Sequence, residues 1–302
     1  MLQAPTREWQ RLQTVRPITR GRSPQLEQSD VDVAATISAA DVAPLRVVSG
    51  TRSKVSGSSL SRTMSSELRA VILAGGLGTR LRPYTTILPK PLVPVGDRPI
   101  LEHILRRLHA CGTRVVDVCI GHLGELIQVY FSQPSALPEE LELRWHREDE
   151  PLGTAGALRL VPDLEGSFLV MNGDVLTNLD YAELMRAHEQ RGPALTVAMH
   201  AQRVQIDFGV IDTDGERIVA YHEKPKLDYE VSMGIYAYSE RALAQLPSEG
   251  PCQFPELVAR LLEAGEEVGA YRSDAGWFDI GTPGEHQRAV DAFTQSPELF
   301  GA

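Results

Sequence analysis

The sequence predicts an α/β fold with a mainly parallel sheet and helices on both faces, and three observations carry that reading. Short, almost wholly apolar runs at 70–74, 115–120 and 168–171 have the character of strands covered on both sides. Segments of helical spacing separate them, the clearest at 99–110, where Ile100, Ile104, Leu105 and Leu108 share one face. The first run leads into a glycine-rich loop, and open α/β sheets hold their ligands beyond the carboxyl ends of their strands.

In chain order, the strand at 70–74 is Ala-Val-Ile-Leu-Ala, and a loop rich in Gly, Pro and Thr follows to about residue 96. The helix at 99–110 and the strand at 115–120 come next, then a helix near 125–131 and a strand at 141–145. Residues 154–160 read as a helix, 168–171 as a buried strand and 181–190 as a helix. After Pro193 come four β-like runs, 195–199, 209–211, 218–221 and 231–238. Helices at 241–246 and 256–264 and a strand at 268–271 close the sequence of elements. Strand and helix in alternation build one α/β/α sandwich, Rossmann-like in layering, with a mainly parallel but mixed central sheet.

Composition sets the class. The 302 residues are 42% hydrophobic and 23% charged, which suits a globular protein and excludes collagen-like or wholly disordered chains. A formal net charge of −10 argues against nucleic acid as a partner, because phosphate-backbone binding shows as a basic face. No run of 18 apolar residues is present, so no membrane span is expected. Three widely spaced cysteines, Cys111, Cys119 and Cys252, form no CxxC pair and read as reduced thiols of a cytoplasmic protein.

Residues 1–64 differ from the rest. They carry nine Lys and Arg against five Asp and Glu, and Ser, Thr, Arg, Pro and Gly dominate with no sustained period. We read them as a disordered tail. One alternative is a translated leader before a true start at Met64. Another is a targeting peptide, which the acidic residues disfavour. The folded domain is expected over 65–302.

The most informative segment is Gly75-Gly76-Leu77-Gly78-Thr79-Arg80-Leu81-Arg82-Pro83. Glycines allow close backbone approach to an anion and present N–H groups to it. Position 81 is Leu, so the dinucleotide fingerprint fails, and no Gly-Lys-Ser/Thr run supports a Walker A loop. Arg80, and Lys90 in Pro89-Lys90-Pro91, supply positive charge instead.

This loop, followed by Pro89-Lys90-Pro91, resembles the signature of the sugar-1-phosphate nucleotidyltransferases, closest in motif to mannose-1-phosphate guanylyltransferase-like members. The resemblance continues through Glu150-Pro151-Leu152-Gly153-Thr154-Ala155-Gly156, Asn172-Gly173-Asp174, Glu223-Lys224-Pro225 and Trp277-Phe278-Asp279-Ile280-Gly281, and covers about 70–290. It implies a reaction joining a nucleoside triphosphate and a sugar 1-phosphate into a nucleotide sugar and pyrophosphate. The nucleophile is then a phosphate oxygen, anionic at neutral pH, and the task is to neutralise charge. The resemblance implies Arg80, Lys90 and Asp174 as catalytic residues, with Asp174 and Asp279 holding Mg²⁺. Nucleotide binding would fall to Leu73, Ala74, Gly75, Gly76, Gly78, Thr79, Glu148, Gly153 and Thr154. The sugar phosphate would fall to Gly209, Glu223, Lys224, Ser232 and Gly234. Many members carry Asn-Ala-Gly where this chain has Ser232-Met233-Gly234, a departure that bears on the sugar.

Glu148 suggests the base. A carboxylate accepts both N1–H and N2–H₂ of guanine, whereas uracil and thymine flank one N–H with two carbonyl oxygens. GTP with mannose 1-phosphate is therefore the expected pair. Thymidylyl or uridylyl transfer to glucose 1-phosphate is the first alternative, and a non-catalytic, nucleotide-sugar-binding regulatory subunit the second. No hexapeptide repeat follows the Trp277 motif, so no C-terminal β-helix is expected. A homo-oligomer is compatible with this reading.

Overall fold

A computed structural model describes residues 68–133 and 135–297, so the expectation for 1–64 lies outside the described residues. The elements run β1 (Arg69–Ala74), β2 (Pro94–Val95), β3 (Arg98–Pro99), α1 (Ile100–Ala110), β4 (Val115–Ile120), α2 (Gly124–Phe131), β5 (Glu142–Arg147), α3 (Gly153–Gly156), β6 (Ser167–Asn172) and β7 (Val175–Thr177). They continue with α4 (Tyr181–Arg191), β8 (Leu195–Gln205), β9 (Val210–Asp214), β10 (Arg217–His222), β11 (Lys226–Ser239), α5 (Phe254–Glu263), β12 (Val268–Arg272), β13 (Trp277–Asp279) and α6 (Pro283–Gln295).

Seven strands form the main sheet in the order β12-β8-β11-β6-β1-β4-β5. β1 pairs in parallel with β4 and β6, β4 with β5, and β12 with β8. β11 runs antiparallel between β6 and β8, which makes the sheet mixed as expected. Alternation along the central strands builds a core on each face. Ala70, Ile72 and Ala74 of β1 join Val116 and Val118 of β4 and Leu169 and Met171 of β6 under α1, α2 and α4. Val71, Cys119, Phe168 and Val170 point the other way, against Leu257 and Leu261 of α5. Burial on both faces is why these runs are continuously apolar.

Two buried polar side chains of this frame are held in hydrogen-bonded clusters. Asp117 is fully buried, with Arg69 Nε donating to it at 2.9 Å and His146 Nε2 lying 2.7 Å away. His188 of α4 is also buried, and its ring bridges Thr196 Oγ1 (2.8 Å) and Ser239 Oγ (3.1 Å). Ser239 Oγ donates to the Pro193 carbonyl, so it accepts from His188 Nε2–H, and Nδ1 accepts from Thr196.

Several element boundaries differ from the sequence expectation. Residues 154–160 are one short α turn, Gly153–Gly156, followed by a 3₁₀ segment, because two glycines and a close approach to Cys252 leave no room for a longer helix. The expected helix at 241–246 is a 3₁₀ segment, Glu240–Gln245. β8 and β11 extend well past 195–199 and 231–238, and their outer halves carry exposed residues whose polarity masks the strand pattern. The sequence reading also missed α6. Its cues were present: Thr282 caps the helix by accepting from Glu285 N–H, and Pro283 opens its first turn.

Parallel register sets the position of the site. Ala74 lies opposite Ile120, Leu73 opposite Asn172, and Ile120 opposite Arg147. The segments that follow these strands, carrying Gly75, Gly121, Glu148 and Gly173, therefore emerge at one edge of the sheet.

Candidate active site

A cavity of about 400 Å³ opens at that edge. Its floor is the end of β1 and the glycine loop, with Leu73, Ala74, Gly75 and Gly76. Two glycines permit close approach there. The Glu148 carboxylate lies where a Cβ on Gly75 would project, and a Cβ on Gly121 would come within 2.8 Å of the Gly75 carbonyl oxygen. Gly78 turns the loop with φ of 59°, and Thr85 Oγ1 donates to its carbonyl at 2.7 Å.

One end of the cavity is cationic. Arg80 and Lys90 line it, together with Asp174. Asp174 leaves β6 after Gly173, whose N–H donates to the Leu73 carbonyl at 2.8 Å. Lys90 Nζ forms an ion pair with Asp174 Oδ2. Asp174 Oδ1 is buried and has no hydrogen-bond partner.

Asp279 reaches the same place from 105 positions further along the chain. β13 pairs antiparallel with β7, Asp279 opposite Val175, and Ile280 N–H donates to the Asp174 carbonyl at 3.0 Å. Burial first, and the facing Asp174 charge second, hold the Asp279 carboxyl above the ordinary aspartate range. Arg80 crosses to this side as well. Its guanidinium lies about 3.4 Å from where a Cβ on Gly281 would stand.

These residues fit a hard divalent cation. A buried carboxylate oxygen with no donor, beside a second carboxylate, is an incomplete oxygen ligand set. Among the described residues, no group of three or more His, Cys, Asp or Glu side chains could enclose an ion. Asp174 and Asp279 would thus supply two ligands, and substrate phosphate and water the others.

Glu148 follows β5, on the side of β1 away from β6 and Asp174, and lines the cavity with Pro151, Gly153, Thr154 and Ala157. Glu148 Oε2 accepts from Leu152 N–H at 3.0 Å, and burial raises the carboxyl above the usual glutamate range against that bond. Gly153, with φ of 77°, lets the next turn dock on α5, where Ala155 and Gly156 N–H both donate to the Cys252 carbonyl at 3.0 Å.

A second cavity, of about 470 Å³, opens on the Asp279 side. Its walls include Trp277, Val231, His200, Gln202 and Arg288. Asp174 lines the first cavity and Asp279 the second, and the two carboxylates lie close enough for the charge of Asp174 to act on Asp279. Ser232 and Gly234 line neither and sit in an irregular stretch of β11. Gly234 N–H donates to Ser232 Oγ at 3.2 Å, and Trp277 Nε1 donates to the Met233 carbonyl at 3.0 Å.

Ten of the expected site residues line the first cavity, and Asp279 lines the second. Gly78 and Thr79 shape the loop without lining either. Gly209, Glu223 and Lys224 flank the β9–β10 ribbon, also outside both linings. Tyr221 covers Gly209 there, and Glu223 and Lys224 are exposed. The sequence reading did not single out Gln253, which lines the nucleotide-side cavity. Nor did it single out Tyr236, whose hydroxyl burial and the nearby Asp174 and Asp279 charges hold in its protonated form.

A parallel-sheet edge with a glycine loop, two cations and a carboxylate pair defines a phosphate-handling, nucleotide-binding α/β protein. The nucleotidyl transferase family model matches residues 69–296, and the chain belongs to that family. It is 32% identical over 247 residues to mannose-1-phosphate guanylyltransferase of Mycobacterium tuberculosis, covering 78% of this chain and 68% of the relative. The catalytic subunit beta of the Danio rerio mannose-1-phosphate guanylyltransferase is 31% identical, covering 76% and 65%. UTP–glucose-1-phosphate uridylyltransferase of Synechocystis is 28% identical, covering 74% and 62%. The chain thus spans about two thirds of the length of these curated relatives. Among solved structures, HddC of Yersinia pseudotuberculosis superposes with a TM-score of 0.59 at 24% identity, over 75% of this chain and 99% of that one. The UTP-bound UGPase of Acinetobacter baumannii gives 0.61 at 21% identity, over 78% and 96%. At these identities the two structures show a shared fold.

Proposed function

We propose that the chain transfers a nucleotidyl group from a nucleoside triphosphate to a sugar 1-phosphate and releases pyrophosphate. The observation that carries this is a pair of electrostatically coupled carboxylates, Asp174 in the wall of one cavity and Asp279 in the wall of the other, with Lys90 bound to the first and Arg80 beside the second. Two polyanions need separate chambers and a shared place where charge is neutralised. The triphosphate occupies the glycine-loop cavity and the sugar phosphate the Trp277 cavity. A sugar-phosphate oxygen forms a bond to the α-phosphorus, and the bond from that phosphorus to the bridging oxygen breaks, so pyrophosphate leaves with the electron pair. Arg80 and Lys90 take up the charge that develops on the equatorial and leaving oxygens. Asp174 and Asp279 would hold Mg²⁺, which when bound supplies charge neutralisation at the same oxygens. No general base is required, because the attacking oxygen is already anionic.

Guanylyl transfer to mannose 1-phosphate is the preferred pairing. Glu148 lines the cavity on the side of β1 away from Asp174, and two of the relatives named above are mannose-1-phosphate guanylyltransferases. Ser232, Gly209, Glu223 and Lys224 are assigned to the sugar phosphate, with the ribbon that the last three flank closing over it. We place the reaction in the cytoplasm, on the strength of three free thiols; no helix among the described residues is long and apolar enough to cross a membrane. The test is pyrophosphate release with four triphosphates against mannose and glucose 1-phosphates. GTP with mannose 1-phosphate is expected to lead. Release with no pair would overturn the transferase reading, and a lead for dTTP or UTP would overturn the base assignment.

A further inference from the structure

The cavity lining that holds Arg80 and Lys90 also carries two hydrogen-bonding side chains from distant parts of the chain, Glu148 and Gln253. Their outer atoms differ in kind. Glu148 Oε2 is taken by Leu152 N–H, which leaves Oε1 as an acceptor over Gly75. Gln253 is held by its oxygen. Thr154 N–H and Thr154 Oγ1–H approach Gln253 Oε1 at 3.5 and 3.4 Å, and Phe254 N–H donates to Thr154 Oγ1 at 2.8 Å. These contacts turn the amide oxygen toward Thr154. Nε2 is the free end, and it lies 2.9 Å from where a Cβ on Gly153 would project. Pro151 and Ala157 add apolar surface to the same cavity lining. A planar base there would meet one acceptor and one donor.

We propose that Gln253 is a base-selecting residue that donates from Nε2 to a keto oxygen of the nucleobase. This rests on the nucleotide reading given above and adds the residue that discriminates. Guanine, uracil and thymine each present a ring N–H beside a keto oxygen, matching the Glu148 acceptor and the Gln253 donor. Adenine and cytosine present an amino group beside an unprotonated ring nitrogen. Nε2–H then faces N–H, and Glu148 faces a lone pair, so both contacts are lost. Gln253 separates keto from amino bases, while Glu148 accepts the ring N–H.

ITP and ATP isolate this choice, because their bases differ at position 6 and in the N1 proton that follows from it. The measurement is kcat/KM for GTP, ITP and ATP, with dissociation constants for each, on the full chain as wild type, Gln253→Ala and Gln253→Glu. Wild type should favour ITP over ATP. Gln253→Ala should shrink that ratio by about 10-fold, the loss of one donor–acceptor match at the base. Gln253→Glu, which replaces the donor by an acceptor, should shrink it further while GTP binding falls. Thermal unfolding of each variant reports the contacts to Thr154 separately. A purely structural Gln253 would lower the melting temperature, or lower all three nucleotides equally, and leave the ratio unchanged; that result overturns the inference and leaves the transferase reading intact. A wild type that binds no triphosphate overturns both.

Discussion

The Glu148 carboxylate stands directly over the Cα of Gly75, in the space that any other side chain at position 75 would take. The two residues follow the ends of parallel strands β1 and β5, which β4 separates. The contact ties the glycine loop to the segment after β5 through one side chain.

Gly75→Ala tests that contact. A Cβ must push the carboxylate aside and disturb its bond from Leu152 N–H. Because the displaced group is the end of a flexible side chain, the fold should survive with a small drop in melting temperature. Nucleotide affinity should fall by about 10-fold, the worth of one charge-assisted hydrogen bond. Titration calorimetry with GTP reads this, and unchanged affinity would separate Glu148 from the nucleotide.

Asp174→Asn and Asp279→Asn should each cut turnover by about 10³-fold or more, with melting temperature little changed. Because the two carboxylates act on one cation, the double variant should be little slower than either single one. Chelation of divalent metal should abolish turnover of the wild type and add nothing to the loss in the variants. Multiplicative losses would mean that the two groups have separate roles.

Arg80 and Lys224 are assigned to different substrates. Arg80→Ala should lower kcat, since its guanidinium lies beside the carboxylate pair. Lys224→Ala should mainly raise the KM for sugar 1-phosphate, because the exposed ribbon that it flanks is assigned to that substrate. Initial-rate kinetics with each substrate varied in turn distinguishes the two, and exchanged phenotypes would reverse the assignment.

His188 predicts a stability loss on acidification. Burial lowers its pKa from 6.5 to about 4 in the folded chain. The unfolded chain binds a proton below 6.5 and the folded chain does not until about 4. His188 therefore contributes fully above pH 6.5, and that contribution drains away as pH falls through the interval, by roughly 3 kcal/mol in total. Urea unfolding of wild type and His188→Gln across this range should give a difference that shrinks toward the acid end. A constant difference would mean that the imidazole does not titrate there.

The sequence by itself determined what depends on neighbours along the chain. Apolar runs of strand length and the helical period of residues 100–108 dictate the layers, since each pattern buries one face or both. Gly75-Gly76-x-Gly78, Arg80, Lys90 and Asn172-Gly173-Asp174 were legible because each motif lies at one strand end or in one loop, so spacing alone describes it. The tertiary structure decided what depends on distant register. Asp279 faces Asp174 only because β13 pairs with β7, and Gln253 meets Thr154 only because the α5 entrance docks on the Gly153 turn. Side chains about a hundred positions apart share no local period, so composition and spacing carry no trace of their contact. The outer halves of β8 and β11 were obscured for a related reason. They leave the covered part of the sheet, and without burial on both faces no apolar run marks them as strand.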